Sequence, residues 1–101
     1  MVNEQVSFEM ISYAGDAFSK QVEALKYMKG GNHEEAERCI HEAEMLMNKA
    51  HRIQTKLIVK EANGEANELS VLLIHAQDTL MNTILMSTII KELIDMYKLF
   101  K

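Results

Sequence analysis

Apolar residues recur along this chain at intervals of three and four, the period of an amphipathic α-helix rather than the alternation of a strand. From residue 4 to about 29, Met10, Tyr13, Ala14, Ala17, Ala24 and Met28 fall on one face, and Phe8, Ile11, Phe18, Val22 and Leu25 on an adjoining one. Together they form an apolar surface wider than one neighbouring helix covers. From 33 to 62, Ala36, Ile40, Ala43, Met47, Ala50, Gln54 and Leu57 hold a seven-residue repeat in which Gln54 is the one polar member. From about 66 to 100 two stripes run together. Leu69, Leu73, Ala76, Leu80, Ile84, Ser87, Ile90 and Ile94 form the first; Val71, His75, Asp78, Asn82, Leu85, Ile89, Leu93 and Met96 form the second. At ~100° per residue their centres are roughly 150° apart. Two sibling helices can cover one stripe, which leaves the second for a partner chain.

Two interruptions separate these segments, Gly30-Gly31-Asn32 and Ala62-Asn63-Gly64. Asn32 can cap the second helix through its side-chain oxygen, with Glu35 reaching back to complete a capping box. Glu34, Glu35 and Glu37 suit the positive end of the helix dipole. Gly15 lies inside the first helical pattern and is tolerated there at a cost of ~1 kcal/mol relative to alanine; its missing side chain leaves room for a neighbouring helix. The absence of proline permits long unbroken helices. The pattern predicts an all-α, antiparallel up-down-up bundle of three helices, one domain over 1–101, associating through its third helix.

Composition adds limits. A chain of 101 residues, 48% apolar and 26% charged, has the usage of a folded domain but buries a modest share of its surface, so association is one route to stability. The net charge of −4 and the lack of a basic block disfavour nucleic-acid binding. Cys39, the single cysteine, reads as a small buried apolar residue and fits a reducing compartment. No positively charged leader precedes an apolar core, and no run reaches the ~18 apolar residues of a membrane span. A cytoplasmic location is expected.

His75, Asp78 and Asn82 are successive polar members of an otherwise apolar seam, where solvent exposure alone gives no reason for them. His75 and Asp78, three residues apart, share a helix face. A neutral imidazole is a competent nucleophile near pH 7, and a phosphoryl acceptor needs little beyond a free ring nitrogen and donors for the transferred oxygens. Gln77 and Thr79 can supply donors, although they point to other faces and would act across a subunit boundary. Carboxylates of Asp78 meeting on a symmetry axis would repel unless they shared protons or held a hard cation such as Mg²⁺ or Ca²⁺. His41 reads as a residue of a charged surface among Glu37, Glu42 and Glu44, His33 as a first-turn helix residue, and His51 as structural. No zinc-binding spacing occurs.

Three pieces of sequence then carry a resemblance: Ile11-Ser12-Tyr13-Ala14-Gly15-Asp16-Ala17, Ala50-His51-Arg52-Ile53-Gln54-Thr55-Lys56-Leu57, and Val71 to Met81 around His75-Ala76-Gln77-Asp78. In order, spacing and total length the chain resembles the lactose/cellobiose-type IIA component of the bacterial phosphoenolpyruvate-dependent sugar phosphotransferase system. The resemblance implies a homotrimer of three-helix subunits. It implies that His75 accepts a phosphoryl group through Nε2 from the histidine-containing phosphocarrier protein and passes it to a cysteine of the IIB component, with the membrane IIC component downstream. It also implies one Mg²⁺ per trimer on the threefold axis, held by Asp78 of all three subunits, a phosphate-side contact for Gln77, and no direct sugar binding. A β-linked disaccharide of the cellobiose, lactose or chitobiose type is the implied cargo, without a choice among them. The family usually carries a second histidine where Thr79 stands, which removes a titratable group one turn after His75.

Two other classes compete. A non-catalytic helical trimer would use His75 and Asp78 only to set register. A Mg²⁺-dependent hydrolase would need several convergent carboxylates per site, and Glu23, Glu61 and Glu92 do not provide them.

Overall fold

The structure, a computed structural model, describes residues 2–100, with side-chain surroundings from residue 4 onward. Met1 and Lys101, the ends of the expected domain, lie outside the described residues. Three helices follow one another: α1 (Val2–Lys29), α2 (His33–Ala62) and α3 (Val71–Leu99). They form the up-down-up all-α bundle that the periodicity predicts.

Glycine stops the first two helices in the same way. Gly31 and Gly64 take φ of +84° and +86°. At each, the glycine N–H donates three residues back (Gly31 to Met28, Gly64 to Glu61), and the next N–H donates five back (Asn32 to Tyr27, Glu65 to Lys60). This is the Schellman closure, which satisfies carbonyls at a helix end and needs a residue that tolerates the left-handed region. Asn32 then caps α2, its side chain accepting from the Glu35 N–H at 3.3 Å. The second half of the expected capping box does not form, because the Glu35 carboxylate turns to the Arg38 guanidinium instead, at 3.0 Å from Nε.

The third helix starts at Val71, not near 66. Ser70 is its cap, with extended backbone and a side-chain oxygen that accepts from the Leu73 N–H at 3.0 Å. The preceding residues are held out of the helix: Asn67 Nδ2 donates to the Leu57 carbonyl at 2.9 Å, tying the loop back to the end of α2. Leu69, assigned above to the first stripe, therefore lies in the loop and is exposed.

Helix α1 packs along both others, while α2 and α3 touch little. Two apolar clusters form the core. One joins Met10, Ala14, Ala50, Leu57, Leu73, Ala76 and Leu80; the other joins Met28, Ala36, Ile90 and Ile94. Alanines at 14, 17, 24, 36, 43 and 50 are all buried and let the backbones approach. Thr83, also buried, bonds to the Ala14 and Thr79 carbonyls, and Gln21 donates to the Thr83 carbonyl at 3.1 Å. Gly15 has no such role: a Cβ placed on it would meet nothing within 4 Å, so no helix of this chain uses the room its missing side chain leaves.

Across the charged flank of α2, Lys91 pairs with Glu44 at 2.7 Å and Lys98 with Glu37 at 3.0 Å. Such exposed pairs contribute at most ~1 kcal/mol each. The molecule is a rod of 52 × 21 × 19 Å. Its surface of 6690 Å² exceeds the ~5,800 Å² usual for a monomer of this mass. Part of the excess is the second α3 stripe, where Val71, Leu85, Ile89, Leu93 and Met96 are all exposed.

Candidate functional site

The Ser70 cap fixes where α3 begins and so which way each later side chain points. His75 lies in the second turn, on the exposed stripe. Its backbone carbonyl accepts from Thr79 Oγ1 at 2.8 Å. Its ring makes no hydrogen bond or ion pair among the described residues, which leaves the imidazole open to an incoming group. Asp78 and Asn82 follow at three and seven residues, both exposed on the same face. The polar seam read from the sequence is thus a real surface feature, flanked by Val71 and Leu85.

Within one chain neither Gln77 nor Thr79 donates to the His75 ring. Thr79 spends its hydroxyl hydrogen on the His75 carbonyl, a back-bond common for threonine in helices. Gln77, half-buried, turns towards α2, where Gln54 Nε2 donates to its Oε1 at 2.6 Å. Gln54 Nε2 also lies 3.6 Å from Met81 Sδ. The sequence marked Gln54 as the lone polar member of an apolar series; its partner on α3 was not legible, because pairing of two glutamines depends on how two helices face each other. Buried Ser7, Gln21 and Thr83 were likewise missed, since nothing local separates them from surface polar residues.

A cleft of about 210 Å³ lies between the end of α2 and the start of α3, lined by Leu57, Ile58, Asn67, Leu73, Ile74 and Gln77. His75 does not line it. The imidazole therefore sits on an open rod surface, which suits a macromolecular partner better than an enclosed small molecule.

Among the described residues no three of His, Cys, Asp and Glu converge within the chain. A cation at Asp78 would need carboxylates from further copies. Cys39 is buried away from the seam, and burial pushes its thiol pKa up, which disfavours the reactive thiolate. His33, His41 and His51 are exposed; His33 meets the Tyr97 ring edge-on at 6.5 Å. Among the described residues no helix is long and apolar enough to cross a membrane.

Comparison with known proteins places this geometry. Residues 5–98 match the family described as the lactose/cellobiose-specific IIA subunit of the phosphotransferase system. The lactose-specific IIA component of Streptococcus mutans is 46% identical over 93 residues, covering 92% of this chain and 89% of that protein. The oligo-β-mannoside-specific IIA component of Bacillus subtilis is 40% identical over 98 residues, covering 97% and 89%. Among solved structures, the cellobiose-specific IIA of Bacillus anthracis superposes with a TM-score of 0.95 at 45% identity, covering 99% of this chain and 92% of that one. A chitobiose IIA–HPr complex from Escherichia coli gives 0.81 at 35%, covering 97% and 95%. This chain belongs to the lactose/cellobiose-specific IIA family of the sugar phosphotransferase system.

Proposed function

We propose that this chain is a cytoplasmic phosphocarrier in which His75 is the phosphoryl acceptor. The observation that carries the reading is the open imidazole on an exposed, otherwise apolar α3 stripe, in a chain of this family. The Nε2 lone pair attacks the phosphorus of a donor phosphohistidine. A bond from Nε2 to phosphorus forms as the donor's nitrogen–phosphorus bond breaks and its electron pair returns to the donor ring. In the second step a cysteine thiolate of the IIB component attacks the same phosphorus, a sulfur–phosphorus bond forms, and the pair returns to Nε2. The related complex with HPr supports that protein as the donor. Transfer then continues to a sugar at the membrane IIC component; the cargo is a β-linked disaccharide, which this chain does not itself bind.

The assembly is a homotrimer around α3. Asp78 lies near the middle of the exposed stripe. On the wheel His75 lies about 60° to one side of it, and Met81 and Gln77 about 60° and 100° to the other. Under threefold rotation the first flank of one helix meets the second flank of the next. This brings Gln77 of the partner subunit towards His75, although within one chain the two are about 160° apart. The Gln77 amide is then the phosphate-side donor. Three Asp78 carboxylates at the axis suit one Mg²⁺, a hard cation that would relieve their mutual repulsion. The transfer itself runs through His75.

The test is incubation with phosphoenolpyruvate and the upstream components, followed by mass spectrometry under conditions that preserve phosphohistidine. Wild type gains one phosphoryl group at His75 and His75→Ala gains none. A trimer in which His75 serves only register would leave both unlabelled.

A further inference from the structure

We infer that Gln54, buried on α2, is a positioning residue for phosphoryl transfer. It fixes the polarity of the Gln77 amide so that an N–H, and not an oxygen, faces the phosphoryl group. The inference rests on the proposed role of Gln77.

The argument is one of donors and acceptors. A glutamine side chain has an NH₂ with two hydrogens and a carbonyl oxygen, and it can rotate to exchange their places. A contact 2.6 Å long between Gln54 and Gln77 is compatible with either amide donating. Met81 breaks the symmetry. Its thioether sulfur, 3.6 Å from Gln54 Nε2, can only accept. With the Gln54 NH₂ placed there, one hydrogen serves the sulfur and the other serves Gln77 Oε1. The opposite rotamer would set the Gln54 oxygen against the sulfur lone pairs and leave the sulfur without a donor.

With Oε1 occupied by Gln54, both hydrogens of the Gln77 NH₂ remain for groups outside this chain. A phosphoryl group offers acceptor oxygens, so an amide locked in this sense is ready to donate, whereas a flipped one would repel it. The lock also accounts for a polar side chain in the α2 apolar series. Gln54 is only 8% exposed, and α2 and α3 otherwise touch little. A leucine there would pack the same seam without a polar atom to satisfy.

The experiment compares Gln54→Leu, Gln54→Glu, Gln77→Ala and the double variant Gln54→Leu/Gln77→Ala in full-length protein. Each is first checked for helicity, oligomeric state and thermal midpoint, then assayed for initial rates of phosphorylation from phosphorylated HPr. Gln54→Leu should keep or raise the thermal midpoint while lowering the maximal rate by about tenfold, with the KM for the donor unchanged. Gln54→Glu should lower it further, because a carboxylate accepts from the Gln77 NH₂ and turns its oxygen outward. If Gln54 acts through Gln77, the double variant is no slower than Gln77→Ala alone. Wild-type rates in Gln54→Leu, or a defect that multiplies with that of Gln77→Ala, would overturn the inference. The wild-type control separates the two layers: no label at His75 defeats the phosphocarrier reading and this inference with it, whereas normal labelling with additive Gln54 and Gln77 effects defeats only the inference.

Discussion

At the scale of single residues, the seam on α3 is defined by what its members lack. His75 and Asp78 have no hydrogen-bond or ion-pair partner for their side chains within the described chain. Polar groups placed in an apolar stripe and left unpaired are available to something outside the chain. For Asp78 this gives a direct test. Asp78→Leu extends the apolar stripe and removes the carboxylate repulsion, so the proposed trimer should persist or tighten while the proposed axial ion is lost. Metal content per trimer, measured by elemental analysis beside the molar mass, decides it; one ion still bound per trimer would sink the metal assignment. Thr79 illustrates a different point. Its hydroxyl is committed to the His75 carbonyl, so it contributes a back-bond within the helix and no titrating ring one turn after His75.

At the scale of elements, helix ends set the register of the site. The two Schellman closures at Gly31 and Gly64 determine where α1 and α2 end, and the caps at Asn32 and Ser70 determine where α2 and α3 begin. The Ser70 cap matters most for the proposed site, because it starts the helix that presents His75 about one turn later. Removing it with Ser70→Ala should cost about 1 kcal/mol, read as a lower urea midpoint with an unchanged slope. The capping signals at Asn32 and the glycine stops were legible, since each is a local pattern of one or two residues. The start of α3 was not. Residues 65–69 carry no helix breaker of their own, and what holds them out is the Asn67 bond to the Leu57 carbonyl, a contact with another helix.

At the scale of the whole molecule, one rod with an uncovered apolar face is an incomplete object. Its surface is larger than its mass requires, and the excess includes Leu85, Ile89, Leu93 and Met96 along α3. A charge in the middle of that face should prevent self-association without touching the intrachain core. Ile89→Asp is expected to run as a helical monomer in sedimentation or light scattering, against the threefold mass that the proposed trimer predicts for wild type. A trimeric Ile89→Asp would mean that the α3 stripe is not the interface.

The sequence by itself determined the helix count, the apolar faces, the glycine stops, and the odd seam of His75, Asp78 and Asn82. All of these follow from the 3.6-residue period and from backbone chemistry that acts within a turn or two. The tertiary structure decided what depends on two helices meeting. It showed that the first α3 stripe is buried and the second is not, and that Gly15 has no close neighbour in its own chain. It also showed that Glu35 turns to Arg38, and that Gln77 is bound to Gln54. Side-chain pairing across helices is set by rotation and axial offset between them, and those quantities are written in no single stretch of sequence.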